Sequence, residues 1–329
     1  MKMSASLLDI KSKIVFKRIF KNLKPTLCLN IINYNKNFQN KLDIDINNYK
    51  RNYCKIIIEI IPFENKNGII INYNNFNFCH IFFNDNTREI KRNFIKNNEN
   101  ISKIKIILDY EIKSLNKLFQ NCECIKTIFF SKFKNETIND MGCMFYGCST
   151  LKEINISNFI THNVTNMSYM FYKCSAIKKL DFSNFDTNNV IDMNYMFSGC
   201  TSLEELNLSS FYTFNVYNMN YMFSGCSSLK ELNLSNFNTN NVIGMLSMFS
   251  GCSSLEILNL SSFTTPNVTN MNYMFYGCSS LRELNMSKFN TPQVVNLKQI
   301  FYLCSSLYDL KCHEEKIIKK YIEIINFNI

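Results

Sequence analysis

Tryptophan is absent from this chain, and only three histidines, four prolines and eight glycines occur among its 329 residues. Each shortage closes off a class of chemistry. His80, His162 and His313 stand far apart, and none has a sequence partner at catalytic or metal-ligating spacing, so a histidine-based triad or metal centre has little to build on. Scarce glycine leaves no Gly-rich loop to cradle a phosphate. With proline scarce as well, no flexible linker is expected. Apolar runs are short: even Ile56 to Ile61 is interrupted by Glu59, so no membrane span is expected. The first 23 residues are broken by Lys2, Lys11, Lys13, Lys17, Arg18 and Lys21. No signal-peptide core is expected there, and the expected location is cytoplasmic.

What the chain has in abundance is periodicity. A Met-Phe pair recurs every 26 residues, at Met144-Phe145, Met170-Phe171, Met196-Phe197, Met222-Phe223, Met248-Phe249 and Met274-Phe275. Degenerate copies stand at Leu118-Phe119 and Ile300-Phe301. A constant period in the twenties is the mark of a solenoid, because one such unit cannot bury its apolar side alone and must stack on its neighbours. Each unit places a cysteine four residues after its Met or equivalent: Cys122, Cys148, Cys174, Cys200, Cys226, Cys252, Cys278 and Cys304. A Leu-x-Leu alternation follows, as in Leu206 and Leu208, which predicts a short strand. A phenylalanine such as Phe211 or Phe237 closes it. The other half of the unit spaces Val164, Met167, Met170, Phe171 and Cys174 by 3, 3, 1 and 3 residues, which predicts one face of a short helix.

The strings NVTNMSYMF at Asn163 to Phe171 and GCSSLKELNLSNFNT at Gly225 to Thr239 resemble leucine-rich repeats of the BspA-like kind, also seen in mycoplasma-type surface proteins. The resemblance covers roughly Ser114 to Cys312 in eight copies. It implies an adhesive or protein-binding scaffold without catalysis. The expected fold is therefore an α/β leucine-rich-repeat solenoid, with short parallel strands on the inner face and short helices outside. A parallel sheet about 40 Å long is expected across eight units at the strand spacing.

Four regions are expected: a basic helical segment (1–53), a β-rich cap (54–113), the solenoid (114–312) and a C-terminal cap helix (313–329). The helix–Pro25 turn–helix layout of the first region vaguely resembles an F-box, which would make the chain an adaptor presenting the repeats. The β-rich cap is expected to dock on the first repeat, with Ile104, Ile112 and Leu115 already in repeat phase. Charge is lopsided: residues 1–100 carry a net +9 and the remainder +1. A solvated basic face is the expectation, with a nucleic-acid or anionic-membrane surface the alternative, and no nucleic-acid-binding motif accompanies it.

Among reactive groups the eight repeat cysteines stand out. Only Cys122 and Cys124 are paired closely enough for a structural zinc, and no second pair joins them. Stacked equivalents lie about 5 Å apart, within reach of a disulfide; a buried ladder of reduced thiols is the competing expectation. The string Cys312-His313-Glu314-Glu315 lacks a second histidine for metal or thiol-protease chemistry. No enzyme, metal or cofactor is expected. Binding is expected on the outward residues of the strands: Glu153, Asn155, Asp181, Glu205, Asn207, Glu231, Asn233, Asn259, Glu283 and Asn285. The expected ligand is a protein and the chain a monomer. The alternative for these columns is that Lys and Glu neutralise one another while the amides bond along the sheet. The recurring Tyr169, Tyr195, Tyr221 and Tyr273 read either as inter-repeat packing or as an adhesive strip.

Overall fold

The computed structural model describes residues 13–23, 27–28, 31, 36–42, 54–73 and 75–327. Two helices, Lys13–Asn22 and Lys36–Leu42, lie in the first region. The rest of residues 1–53, and with it most of the F-box-like layout, falls outside the described residues. The strands are β1 (Ile56–Pro62), β2 (Gly68–Ile69), β3 (Cys79–Phe83), β4 (Phe94–Ile95), β5 (Ile104–Leu108), β6 (Ile125–Phe133), β7 (Glu153–Asn155), β8 (Lys179–Asp181), β9 (Glu205–Asn207), β10 (Ile257–Asn259), β11 (Glu283–Asn285) and β12 (Asp309–Lys311). A helix, Glu315–Phe327, follows them.

The cap and the first repeat share one sheet, in the order β3-β5-β1-β6-β7. β1 runs antiparallel to both β5 and β6, while β7 runs parallel to β6. The period-2 pattern of β1 explains its central place: Ile56, Ile58 and Ile60 are fully buried and Glu59 points away. The expectation that Ile104 runs in repeat phase is corrected here. β5 sits between β1 and β3, antiparallel to both, so it belongs to the cap. The stacked coils begin at Ser114, the first residue to bridge in parallel to its equivalent 26 positions on, Asp140.

The helices expected outside the solenoid are also corrected. Residues 113–312 contain none; each Met-Phe stretch is a chain of tight turns. In the unit around Met196, the amides of Met196, Ser198 and Cys200 bond back three residues to Met193, Tyr195 and Phe197. The intervening amides of Met193, Tyr195, Phe197 and Gly199 donate across to the next coil, at Asn218, Asn220, Met222 and Ser224. A helix would keep all these donors for itself. Tyr195 and Gly199 take positive φ, 53° and 77°, which no right-handed helix admits. Bridges along this wall run unbroken from Ser114 to Asn296. The strands, by contrast, form separate pieces rather than one long sheet: β7 joined to the cap, β8 with β9, and β10 with β11 and β12. The turn wall, more than the sheet, carries the stacking.

Inside, like residues form columns. Each repeat thiol from Cys148 to Cys304 donates to the carbonyl of the phenylalanine 29 residues earlier; Cys174, Cys200 and Cys226 reach Phe145, Phe171 and Phe197 at 3.0, 3.1 and 3.2 Å. In this arrangement the repeat thiols bond to backbone carbonyls and are not bridged to one another. A buried threonine column clips the coils together. Thr213 donates its hydroxyl to the Asn238 carbonyl at 2.8 Å and accepts the Asn238 amide at 2.8 Å. The pattern repeats at Thr161, Thr187, Thr239 and Thr265. At the last coil, Thr291 donates instead to Glu314 Oε2 at 2.5 Å, just before the C-terminal helix. Replacing fully buried Thr213 by valine keeps the shape but orphans both groups of Asn238. A loss of about 3 kcal/mol is expected, read as a lower urea midpoint at unchanged m.

Candidate interaction surface

The face that carries the strands presents the ten residues expected to bind, although Glu231 and Asn233 lie in a coil that forms no strand, and hydrogen bonding already occupies much of it. Asn155, Asp181, Asn207, Asn233, Asn259 and Asn285 each accept, through Oδ1, the amide two residues on, at 3.0–3.1 Å. These Asx turns end the strands, which is why Asn or Asp recurs there. Asn207 also donates Nδ2 to Asp181 at 2.9 Å, along the sheet. The charges partly neutralise one another: Lys178 meets Glu204 at 2.8 Å, Lys179 meets Glu205 at 2.5 Å, and Arg282 meets Glu256. Exposed pairs of this kind contribute little to stability. Glu153, Glu231 and Glu283 have no ion-pair partner among the described residues.

The tyrosine row is packing. Tyr169 stacks on Tyr195 at 4.5 Å and Tyr195 on Tyr221 at 4.3 Å, with rings within 11° of parallel. Burial, and then the neighbouring phenols Tyr221 and Tyr169, push the Tyr195 hydroxyl above its ordinary acidity range. Ser247 interrupts the row, and Tyr273 turns edge-on to Tyr276 at 6.0 Å.

A different surface carries the apolar exposure. On the flank between Phe211 and the turn wall, Tyr212, Phe214 and Tyr217 are 47, 42 and 44% exposed. Ile191 and Ile243, the equivalents of Tyr217 in the coils on either side, are 43 and 50% exposed. The loop here buries Phe211, Thr213 and Val216 and turns the side chains between and after them outward. Sequence reasoning missed this patch because it looked for columns, whereas the patch is a departure from one. At the Tyr212 position the other coils carry Ile160, Asp186, Asn238, Thr264 and Asn290, and at the Phe214 position His162, Asn188, Asn240, Pro266 and Pro292.

Chemistry-bearing groups elsewhere are engaged structurally. His80 has no sequence partner at catalytic spacing, and folding brings two carboxylates to it: Glu89 at 2.9 Å from Nδ1 and Asp109 at 3.4 Å from Nε2. With both ring nitrogens taken up, neither is left to serve a nucleophile. Among the described residues no group of three or more His, Cys, Asp or Glu is placed to hold a metal ion. None of the described helices is long and apolar enough to cross a membrane.

Solved structures similar to the chain include a leucine-rich cell surface protein from Faecalibacterium prausnitzii A2-165 (14% identity, 64% of this chain and 79% of that one, TM-score 0.26). Another is a leucine-rich-repeat protein from Bacteroides ovatus ATCC 8483 (17% identity, 67% of each chain, TM-score 0.28). A third is the TLR13–ssRNA13 complex (16% identity, 56% of this chain and 32% of that one, TM-score 0.27). No curated protein matches. The family described as "Mycoplasma protein of unknown function, DUF285" matches residues 113–232 and again 200–312. Those spans cover the whole stack of coils and more than half of the chain, and the chain belongs to this family.

Proposed function

We propose that this protein is a non-catalytic scaffold that recognises a protein ligand, with its main contact on the flank patch of Ile191, Tyr212, Phe214, Tyr217 and Ile243. The observation that carries this reading is five half-exposed apolar side chains gathered across three consecutive coils. The buried core around them is otherwise complete. Aromatic residues that are rigid and half-exposed are the side chains from which interface hot spots are made, and a contiguous apolar patch on a polar surface marks a docking area. The strand-face carboxylates Glu153, Glu231 and Glu283 support a second contact with cationic groups of the same ligand, since the described residues leave them unneutralised. A reducing, cytoplasmic setting is part of this proposal, supported by the column of free thiols.

The test uses the tagged full chain to capture a ligand, followed by titration of the purified ligand. Replacing Tyr212, Phe214 and Tyr217 together by serine is expected to weaken binding about 100-fold or more, at two hot spots or better. Changing Glu153 and Glu231 to glutamine is expected to weaken it by less than about tenfold, mostly through the on-rate. Undiminished affinity of the triple variant, with its circular dichroism and melting unchanged, would overturn the flank assignment. Ligand capture only under oxidising conditions at a cell surface would favour an adhesin and overturn the cytoplasmic setting.

A further inference from the structure

Every internal coil of the turn wall passes alternate amides to its successor. In the penultimate coil these are Tyr273, Phe275 and Gly277, which donate to the carbonyls of Lys298, Ile300 and Tyr302 at 2.9, 3.0 and 2.8 Å. Their equivalents in the final coil are Gln299, Phe301 and Leu303. Among the described residues nothing accepts from these three amides. At the opposite end of the wall the carbonyls of Leu118 and Gln120 are already taken. There Asn72 gives its backbone amide to the Leu118 carbonyl at 2.7 Å and its side-chain amide to the Gln120 carbonyl.

The open donors border a cavity of about 540 Å³ between the final coil and the C-terminal helix, lined by Ile300, Leu303, Ile324, Lys298, Lys320 and Glu323. The helix covers the core beneath. Tyr321 donates its hydroxyl to the Leu307 carbonyl at 3.2 Å, and its ring meets Phe301 edge-on at 6.1 Å. It leaves Tyr302 47% and Leu303 53% exposed at the rim.

We propose that this cleft is a peptide-docking site, taking a segment of a partner protein, folded into the same tight turns, as one more rung of the wall. The partner's backbone carbonyls at alternate residues accept from Gln299, Phe301 and Leu303, and an apolar side chain between them fills the space against Ile300 and Ile324. The chemistry of the occupant follows from continuity with the interface below it, where the same three donors meet three carbonyls in every coil. An apolar small molecule would leave those donors unpaired, which costs more than its burial gains. A second copy stacked end to end would bring a wall in which Asn72 already occupies two of the three facing carbonyls, those of Leu118 and Gln120.

The test uses the full chain and a synthetic nonapeptide copying Asn218–Cys226. Within the wall that segment supplies the carbonyls of Asn220, Met222 and Ser224 to the amides of Tyr195, Phe197 and Gly199. With the peptide at saturation, hydrogen exchange at Gln299, Phe301 and Leu303 is expected to slow about tenfold or more. Exchange at Tyr273, Phe275 and Gly277 is expected to stay as it was, and a scrambled peptide to have no effect. Ile324→Glu should weaken peptide binding about tenfold, and Leu303→Glu, at the exposed rim, should do so without touching the helix. Tyr217→Ser on the flank should leave peptide binding unchanged, which separates this site from the ligand surface proposed above. No binding at millimolar peptide, or binding without slowing at those three amides, would overturn the proposal. Slowing that grows with protein concentration in the absence of peptide would do the same, because a second copy would then be the occupant.

Discussion

Between pH 8 and pH 10 the folded chain is expected to lose several kcal/mol of stability through its cysteine column alone. Burial pushes the thiols of Cys148, Cys200 and Cys252 up to about 12 from an ordinary 9.0. Burial first, and then the neighbouring thiols of the column, raise Cys174 and Cys226 well above 9.0. Below pH 9 these thiols are protonated in both folded and unfolded chains, and their contribution does not change with pH. Above it the unfolded chain sheds protons that the folded column keeps, so the unfolded state gains and stability falls until the folded value near 12 is passed. One unit above the unfolded value, each thiol contributes about 1.4 kcal/mol to that loss. Five thiols together give ~7 kcal/mol, comparable to the whole stability of an ordinary domain.

Tyrosines titrate in the same range, and burial raises Tyr169 and Tyr195 in the same direction. The decisive measurement is therefore a comparison. Urea unfolding at pH 7.5, 9 and 10 is run on the parent chain and on a Cys200→Ala, Cys226→Ala double variant. The variant starts less stable at pH 7.5 because two buried side chains are smaller, yet its stability should fall less steeply, by about two protons' worth, or ~2.7 kcal/mol per pH unit at most. Parallel curves would mean that these thiols ionise as readily when folded as when unfolded. That result would contradict their burial and the hydrogen bonds of Cys200 and Cys226 to Phe171 and Phe197.

The register of the solenoid was legible because the period never slips: the cysteine, phenylalanine and methionine positions all became columns. The helix reading of the Met-Phe stretch failed for a definite reason. Inward residues of consecutive tight turns recur at about the spacing of a helical face, so Val164, Met167, Met170 and Cys174 look alike in either structure. The discriminating feature is backbone handedness, and Tyr169, Tyr195 and Tyr221 hold φ of 53–57° without being glycine. Nothing in a tyrosine announces that. Only the glycines at Gly199, Gly225 and Gly251, at φ of 74–77°, hinted that the backbone leaves the right-handed region twice in each coil.

The candidate site was legible only in part, for a related reason. Asparagines at fixed repeat positions signal turns as readily as ligand contacts, and at Asn155 through Asn285 the turn takes the side-chain oxygen. The Tyr212, Phe214 and Tyr217 cluster is visible in the sequence only once the solvent side of each loop position is known. The C-terminal donor row was hidden more deeply, since backbone amides leave no trace in residue identity. It emerges from asking where each coil's hydrogen bonds go.

Phe223→Ala is expected to cost about 4 kcal/mol, and the comparison with Phe289→Ala tests whether stacking between coils is what holds the column together. Phe223 is fully buried and its ring lies between two others, 5.7 Å from Phe197 and 5.6 Å from Phe249, both within 11° of parallel. Truncation removes the side chain's own burial and opens a cavity bordered by two coils at once. Phe289 is almost as buried, 4% exposed, but stacks on one side only, against Phe263 at 6.4 Å. Its loss should be smaller by about 1 kcal/mol, the contribution of one aromatic pair beyond area burial. Because each coil touches only its neighbours, the central truncation should also uncouple the two halves. Urea unfolding of Phe223→Ala followed by circular dichroism and by exchange at Phe171 and Phe275 should then show two separated transitions, where the parent shows one or a narrower pair. Equal losses for the two variants, with a single transition in both, would show that side-chain burial alone sets the energy and that the stacked rings add nothing to the coupling between coils.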